Sequence, residues 1–174
     1  MITLRQERPA DADAREALLD QAFGETRARK TSQRLREGRL PAEGLSLIAA
    51  DAKRVIGTAR LWDIVCGTGQ PALLLGPVAV TADCRNRGIG AALVRRALRE
   101  ARRLGHGAVI LVGDAPYYSR FGFVGEKAAG LKLPGPFERH RVLALELVPG
   151  ALDGAGGLLC ATGQPAHKPR ARAA

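Results

Sequence analysis

Arg85-Asn-Arg-Gly-Ile-Gly-Ala91 follows an apolar run, Leu73-Leu-Leu-Gly-Pro-Val-Ala-Val80, and opens an arginine-rich helical pattern. A strand ending in a glycine turn that starts a helix builds an anion site. Small residues let the backbone approach a phosphate, and the first-turn N–H groups, unpartnered inside the helix, point at it. The chemistry of this stretch is phosphate binding. Other reactive side chains are sparse. Cys66, Cys84 and Cys160 are odd in number and lack C-x-x-C spacing, so neither a disulfide framework nor a zinc site is expected. Cys84 lies beside the glycine turn, where a helix N-terminus can activate a thiol, but a small half-buried loop residue is the favoured reading. His106, His140 and His167 are scattered singly, and no metal is expected.

The elements that must position the turn read as follows. Ile2–Arg5 is strand-like, Pro9–Asp13 supplies helix-start residues, and Ala14–Phe23 is a short amphipathic helix. A second helix is expected over Arg29–Glu37, stopping at Gly38. Leu45–Ala50 and Val55–Trp62, joined by Asp51–Arg54, carry a hairpin signature. Cys66–Pro71 turns into the strand Ala72–Val80. The helix after Gly90 places Ile89, Leu93, Ala97, Ala101 and Leu104 along one side, and Gly105 ends it. Ala108–Val112 suits the middle of a sheet. Pro116–Arg120 is one helical turn, Phe121–Val124 is extended, Leu131–Pro136 is turn-rich, and Val142–Val148 is a final strand. This order predicts an α+β domain with a mixed, mostly antiparallel sheet of six or seven strands flanked by helices.

At 174 residues, with 46% hydrophobic and 25% charged content, the chain fits one soluble domain with a real core. It is divided here into residues 1–162 and a basic, proline-containing tail, 163–174, expected to be disordered. Met1–Pro9 lacks the apolar core of a signal peptide and no run approaches a membrane span, so a cytoplasmic protein with no membrane partner is expected. The net charge of +10 attracts anions generally. With only 4% aromatics and no nucleic-acid-binding signature, however, nucleic acid is disfavoured.

Three glycine-rich phosphate motifs compete. A P-loop needs G-x-x-x-x-G-K-[ST], which is absent, and a Rossmann fingerprint needs Gly or Ala where Leu93 stands. The third fits: Arg85-x-x-Gly88-x-Gly90-Ala91 after an apolar strand resembles the acetyl-CoA pyrophosphate loop of the GNAT-superfamily N-acetyltransferases. Tyr117-Tyr-Ser-Arg-Phe-Gly-Phe123, beyond the next strand, resembles that superfamily's late Y-x-R-x-G-F motif. The resemblance covers Met1 to Val148, and Leu131–Pro136 with Leu145–Leu152 is similar to its YhbS-like branch.

The resemblance implies acetyl-CoA as co-substrate, with no metal, and direct transfer of the acetyl group to a primary amine in a ternary complex. Backbone N–H groups of Asn86, Arg87, Gly88, Ile89, Gly90 and Ala91 would hold the pyrophosphate, with Arg85 or Arg87 adding charge. Val78 and Val80 would pair with the pantetheine arm, and the Val78 N–H would stabilise the oxyanion. Gly76-Pro77 would mark a bulge that opens a slot for the cofactor. Tyr118 matches the tyrosine that protonates the departing thiolate, while Tyr117 reads as packing. Histidines that some members carry on the acetyl-holding strand are replaced here by Leu74 and Gly76. Asp114, Asp63 or a water chain is left to serve as base.

The acceptor, a small amine or a protein amino group, is not specified, and a homodimer is left open. Its pocket is expected from the first two helices and the Val55–Trp62 hairpin, where Arg27, Arg29, Lys30, Arg34 and Arg36 crowd. A solvated basic face is the default for that charge; reaching the pocket, it would favour a carboxylate-bearing amine. The competing functions are a CoA-binding sensor or regulatory module without transferase activity and, behind it, a basic nucleic-acid-binding protein.

Overall fold

The computed structural model describes residues 1–167. Its sheet is assembled from β1 (Ile2–Gln6), β2 (Ser46–Asp51), β3 (Arg54–Val65), β4 (Pro71–Val80), β5 (Ala108–Val112) and β7 (Val142–Glu146), adjacent in that order. A short β9 (Cys160–Ala161) extends it against Ile64–Val65, past the point where β2 ends, giving seven strands. All pairings are antiparallel except β4 with β5. β6 (Leu131–Lys132) and β8 (Gly157–Leu158) form a separate two-stranded pair. The α+β class and the strand count match the expectation from sequence.

Helices cover the sheet because their apolar faces have nowhere else to go. α2 (Ile89–Arg103) buries Leu93, Val94, Ala97 and Ala101 against the sheet and leaves Arg95 and Arg99 in water. Leu104, expected on the buried side, is exposed past the helix end. α1 (Ala12–Phe23) packs Leu18 and Leu19 against Ile48, Val55 and Ala79. Its start is anchored by Asp11, which accepts two hydrogen bonds from the Arg5 guanidinium, at 2.7 and 2.9 Å, and one from the Arg8 amide.

The second helix expected over Arg29–Glu37 does not form. Two 3-10 turns, Glu25–Arg29 and Thr31–Leu35, take its place. Leu35 is the segment's one apolar side chain to bury, and the Thr31 hydroxyl and Arg34 guanidinium donate to the carbonyls of Pro136 and Pro134 instead of leaving an uninterrupted helix surface. The tail expected from Gly163 begins as paired chain. Leu40 donates to Gln164, Ala166 donates to Gly38, and Arg39 donates to the Gly163 carbonyl. Its last residues, 168–174, lie outside the described residues.

Candidate active site

The feature that makes a site is where β4 and β5 part. They pair only at Leu73–Val109 and Leu74–Ile110. Beyond Leu74, β4 keeps its partner β3 on one side and loses β5 on the other. The register with β3 slips at the same point: Leu61 faces Leu75 but Ala59 faces Val78, so Gly76-Pro77 bulges opposite Arg60. The expected bulge is therefore present, and a buried hydrogen bond fixes it, the Trp62 indole N–H donating to the Gly76 carbonyl at 2.6 Å. The result is a slot whose floor is Leu75–Val80.

At one end of the slot, Val80 runs through the 3-10 turn Ala82–Cys84 into the loop that begins α2. Arg54 holds this turn from the β2–β3 hairpin with two hydrogen bonds to Asp83, which keep the Asp83 carboxyl well below the usual carboxylate range. Asn86 and Gly88 adopt positive φ, +63° and +75°, the left-handed conformation that lets the chain turn tightly into α2. Arg85, Asn86, Arg87 and Gly88 are exposed, while Gly90 and Ala91 are half-buried. The Ile89 side chain is buried in the core, so only its amide is available to a ligand. A Cβ placed on Gly90 would sit 3.5 Å from the Tyr117 hydroxyl and 3.6 Å from Val80, which keeps the helix start, β4 and the tyrosine turn within one neighbourhood. Cys84 is buried, in line with its reading as a packed loop residue.

At the other end the slot widens into a cavity of about 640 Å³. Leu75, Gly76 and Val78 form one wall, and Gly113, Asp114 and Tyr118 another. Tyr118 ends α3 (Ala115–Tyr118), a single turn with Pro116 as its second residue, where the missing N–H is harmless. Its ring is wedged between Tyr117, at 4.9 Å and perpendicular, and Phe123, at 6.0 Å. Burial, with smaller contributions from Tyr117 and Asp114, pushes the Tyr118 phenol up to about 12. It therefore stays protonated through the neutral range and is a donor rather than a base.

The cavity brings Val78 and Tyr118 together with Asp114, whereas Asp63, the other suggested base, lies outside it. The Val55–Trp62 hairpin does not line it either. Arg60 and Trp62 face a smaller cavity of about 200 Å³ that shares Arg36 and Pro77 with the first. The basic segment does reach the cavity, with Arg27, Arg29, Lys30 and Arg36 lining it and Arg34 turned out to the Pro134 carbonyl. Sequence reasoning missed the contribution of Phe137, Glu138 and Arg141 from the far wall, because no motif marks them.

A mixed sheet splayed between β4 and β5, with a glycine turn opening α2 at one end of the slot and Tyr118 at the other, is an arrangement shared with known proteins. Residues 3–124 match the model of the acetyltransferase (GNAT) domain, and the chain belongs to that family. It is 31% identical, over 91% of its length and 95% of the relative's, to the uncharacterized N-acetyltransferase YhbS of Escherichia coli (strain K12). A solved structure of the E. coli YhbS protein in complex with CoA superposes with a TM-score of 0.78 at 30% identity, covering 92% of this chain and 89% of that one. A GNAT family acetyltransferase from Brucella melitensis in complex with acetyl-CoA gives 0.67 at 27% identity, covering 93% and 96%.

Proposed function

We propose that this protein is an acetyl-CoA-dependent N-acetyltransferase that moves the acetyl group directly to a primary amine within a ternary complex. The observation that carries this reading is the convergence on one cavity of the free edge of β4 at Val78 and the protonated phenol of Tyr118. The amides of Asn86 to Ala91 would hold the pyrophosphate, since positive φ at Asn86 and Gly88 and the missing side chain at Gly90 leave the backbone approachable at the start of α2. Val78 and Val80 offer the pantetheine arm a strand edge without a β5 partner. Bound there, acetyl-CoA supplies the acetyl thioester.

The chain's own residues then divide the work. The Val78 N–H stabilises negative charge on the acetyl oxygen while the amine nitrogen bonds to the carbonyl carbon. As the carbon–sulfur bond breaks, Tyr118 delivers its proton to the sulfur, the proton lost by the amine passes to water with Asp114 able to relay it, and the Tyr118 phenolate regains a proton from solvent. Two comparisons support a bound acyl carrier: the E. coli YhbS structure with CoA and the Brucella structure with acetyl-CoA. The test is Tyr118→Phe, assayed separately for CoA binding and for amine-dependent thiol release. Retained binding with turnover lowered at least tenfold supports the reading. Binding without turnover for any amine in the unaltered protein identifies a CoA-binding regulatory module instead.

A further inference from the structure

Arg36 is only 8% exposed, and among the described residues no carboxylate lies within ion-pair distance of it. Its hydrogen bonds go to neutral oxygens, Nε to Gln33 Oε1 at 3.2 Å and Nη2 to Ser32 Oγ at 3.4 Å. Nη1 is directed towards the bulge, 3.5 Å from where a Cβ on Gly76 would sit. A guanidinium buried without a counter-ion is uncommon, because desolvation is ordinarily offset by a carboxylate or phosphate. The groups around it are cations: Arg60 and Arg27 act on Arg36, and Arg36 and Arg141 in turn act on Lys30. Burial and these neighbours lower Arg36 to about 10, so it remains charged at neutral pH. Arg27 is neutralised by Glu16 and Asp20, but Arg36, Lys30 and Arg141 have no acidic partner among the described residues.

We infer that Arg36, assisted by Lys30 and Arg141, is the receptor for a carboxylate on the acceptor, so that the substrate is a small amine bearing a carboxylate, of amino-acid type. This rests on the acetyl-transfer reading above and narrows its substrate. The planar fork of a guanidinium matches a carboxylate in two parallel hydrogen bonds. Arg36 lies beside Gly76, two residues from Val78, so an anion held there places a nearby amine at the expected acetyl position. Phe23, Leu133 and Phe137 provide an apolar wall for the rest of the molecule. Asp114 and Glu138 also line the cavity but are outnumbered by Arg27, Arg29, Lys30, Arg36 and Arg141, so its net positive field disfavours polyamines and lysine-rich peptides.

The test compares amino acids with their carboxamides as acceptors, in the unaltered protein and in Arg36→Gln and Arg36→Met, by thiol release from acetyl-CoA. In the unaltered protein kcat/KM favours the acids by about 10- to 100-fold, as loss of a charge-assisted hydrogen-bonded pair requires. In both variants that ratio collapses to within about threefold, chiefly through KM, and thermal unfolding of Arg36→Met occurs at or above the wild-type temperature because an uncompensated charge has been removed. Equal use of acids and amides, an unchanged ratio in the variants, or a preference for phosphate-bearing amines overturns the carboxylate assignment while leaving acetyl transfer standing. Failure to use any amine, with CoA still bound, overturns the transfer reading itself.

Discussion

Replacing Gly90 with aspartate tests the anion loop with little disturbance to the fold. Gly90 is helical, so a side chain there meets no left-handed strain, in contrast to Gly88 at φ +75°. An added Cβ would find only ordinary contacts, 3.5 Å to the Tyr117 hydroxyl and 3.6 Å to Val80. A carboxylate in a first helical turn is also favourable to the dipole, so stability should change by less than about 1 kcal/mol. Against a bound pyrophosphate the new charge is costly. At a separation of ~5 Å and an effective dielectric of about 20, one carboxylate and one phosphate charge repel by about 3 kcal/mol, or roughly 100-fold in Kd. Gly90→Asn has the same shape without the charge. Titration calorimetry with CoA should show Gly90→Asp at least about 100-fold weaker than Gly90→Asn, with the gap shrinking as salt rises. Equal affinities of the two variants, with both folded, would refute the placement of the pyrophosphate at this loop.

Tyr118→Phe should lower kcat by about 10²- to 10⁴-fold with little change in CoA affinity, as loss of a positioned proton donor does. Because the folded-state phenol lies near 12 and an unfolded one near 10, stability present below pH 10 should drain away between pH 10 and 12 in the unaltered protein and do so less in Tyr118→Phe, read by alkaline denaturation. Gly113→Ala would put a Cβ 2.6 Å from the Tyr118 ring; displacing the ring should lower kcat at least tenfold while CoA still binds. Trp62→Phe removes the indole donor to the buried Gly76 carbonyl and should destabilise the protein by about 1–3 kcal/mol in urea titration. Asp11, held at about 2 chiefly by the Arg5 hydrogen bonds, contributes stability present above pH 4 and lost as pH falls towards 2; Asp11→Asn should abolish that part of the acid transition, read by acid denaturation.

The parts of the molecule legible in the sequence are those written in local patterns. Alternation and apolar runs gave β2 to β5, the period of α2 gave its buried face, and glycine spacing located the loop at Asn86 to Ala91. The bulge at Gly76-Pro77 was expected through the family resemblance, and its residues agree, since neither suits an uninterrupted central strand. What depends on distant partners was not legible. Arg29–Glu37 reads as a helix until its hydroxyl and guanidinium find the Pro134 and Pro136 carbonyls a hundred residues away. The burial of Arg36 follows from that same folding-over, and an arginine in a basic run carries no local mark of losing its water. Glu138 and Arg141 enter the cavity only through the return of the chain into β7. Cys160–Ala161 is too short to show alternation, and it becomes a strand only because β3 outruns β2.

Direct acetyl transfer is the central claim, and the initial velocity of thiol release, with acetyl-CoA and a carboxylate-bearing amine both varied, tests it most directly. Intersecting reciprocal plots, with no acetylated protein detected by intact mass, are the expected result, since both substrates must occupy the slot and cavity together. Parallel plots with an acetylated protein, or no amine-dependent release from a protein that binds CoA, would contradict it.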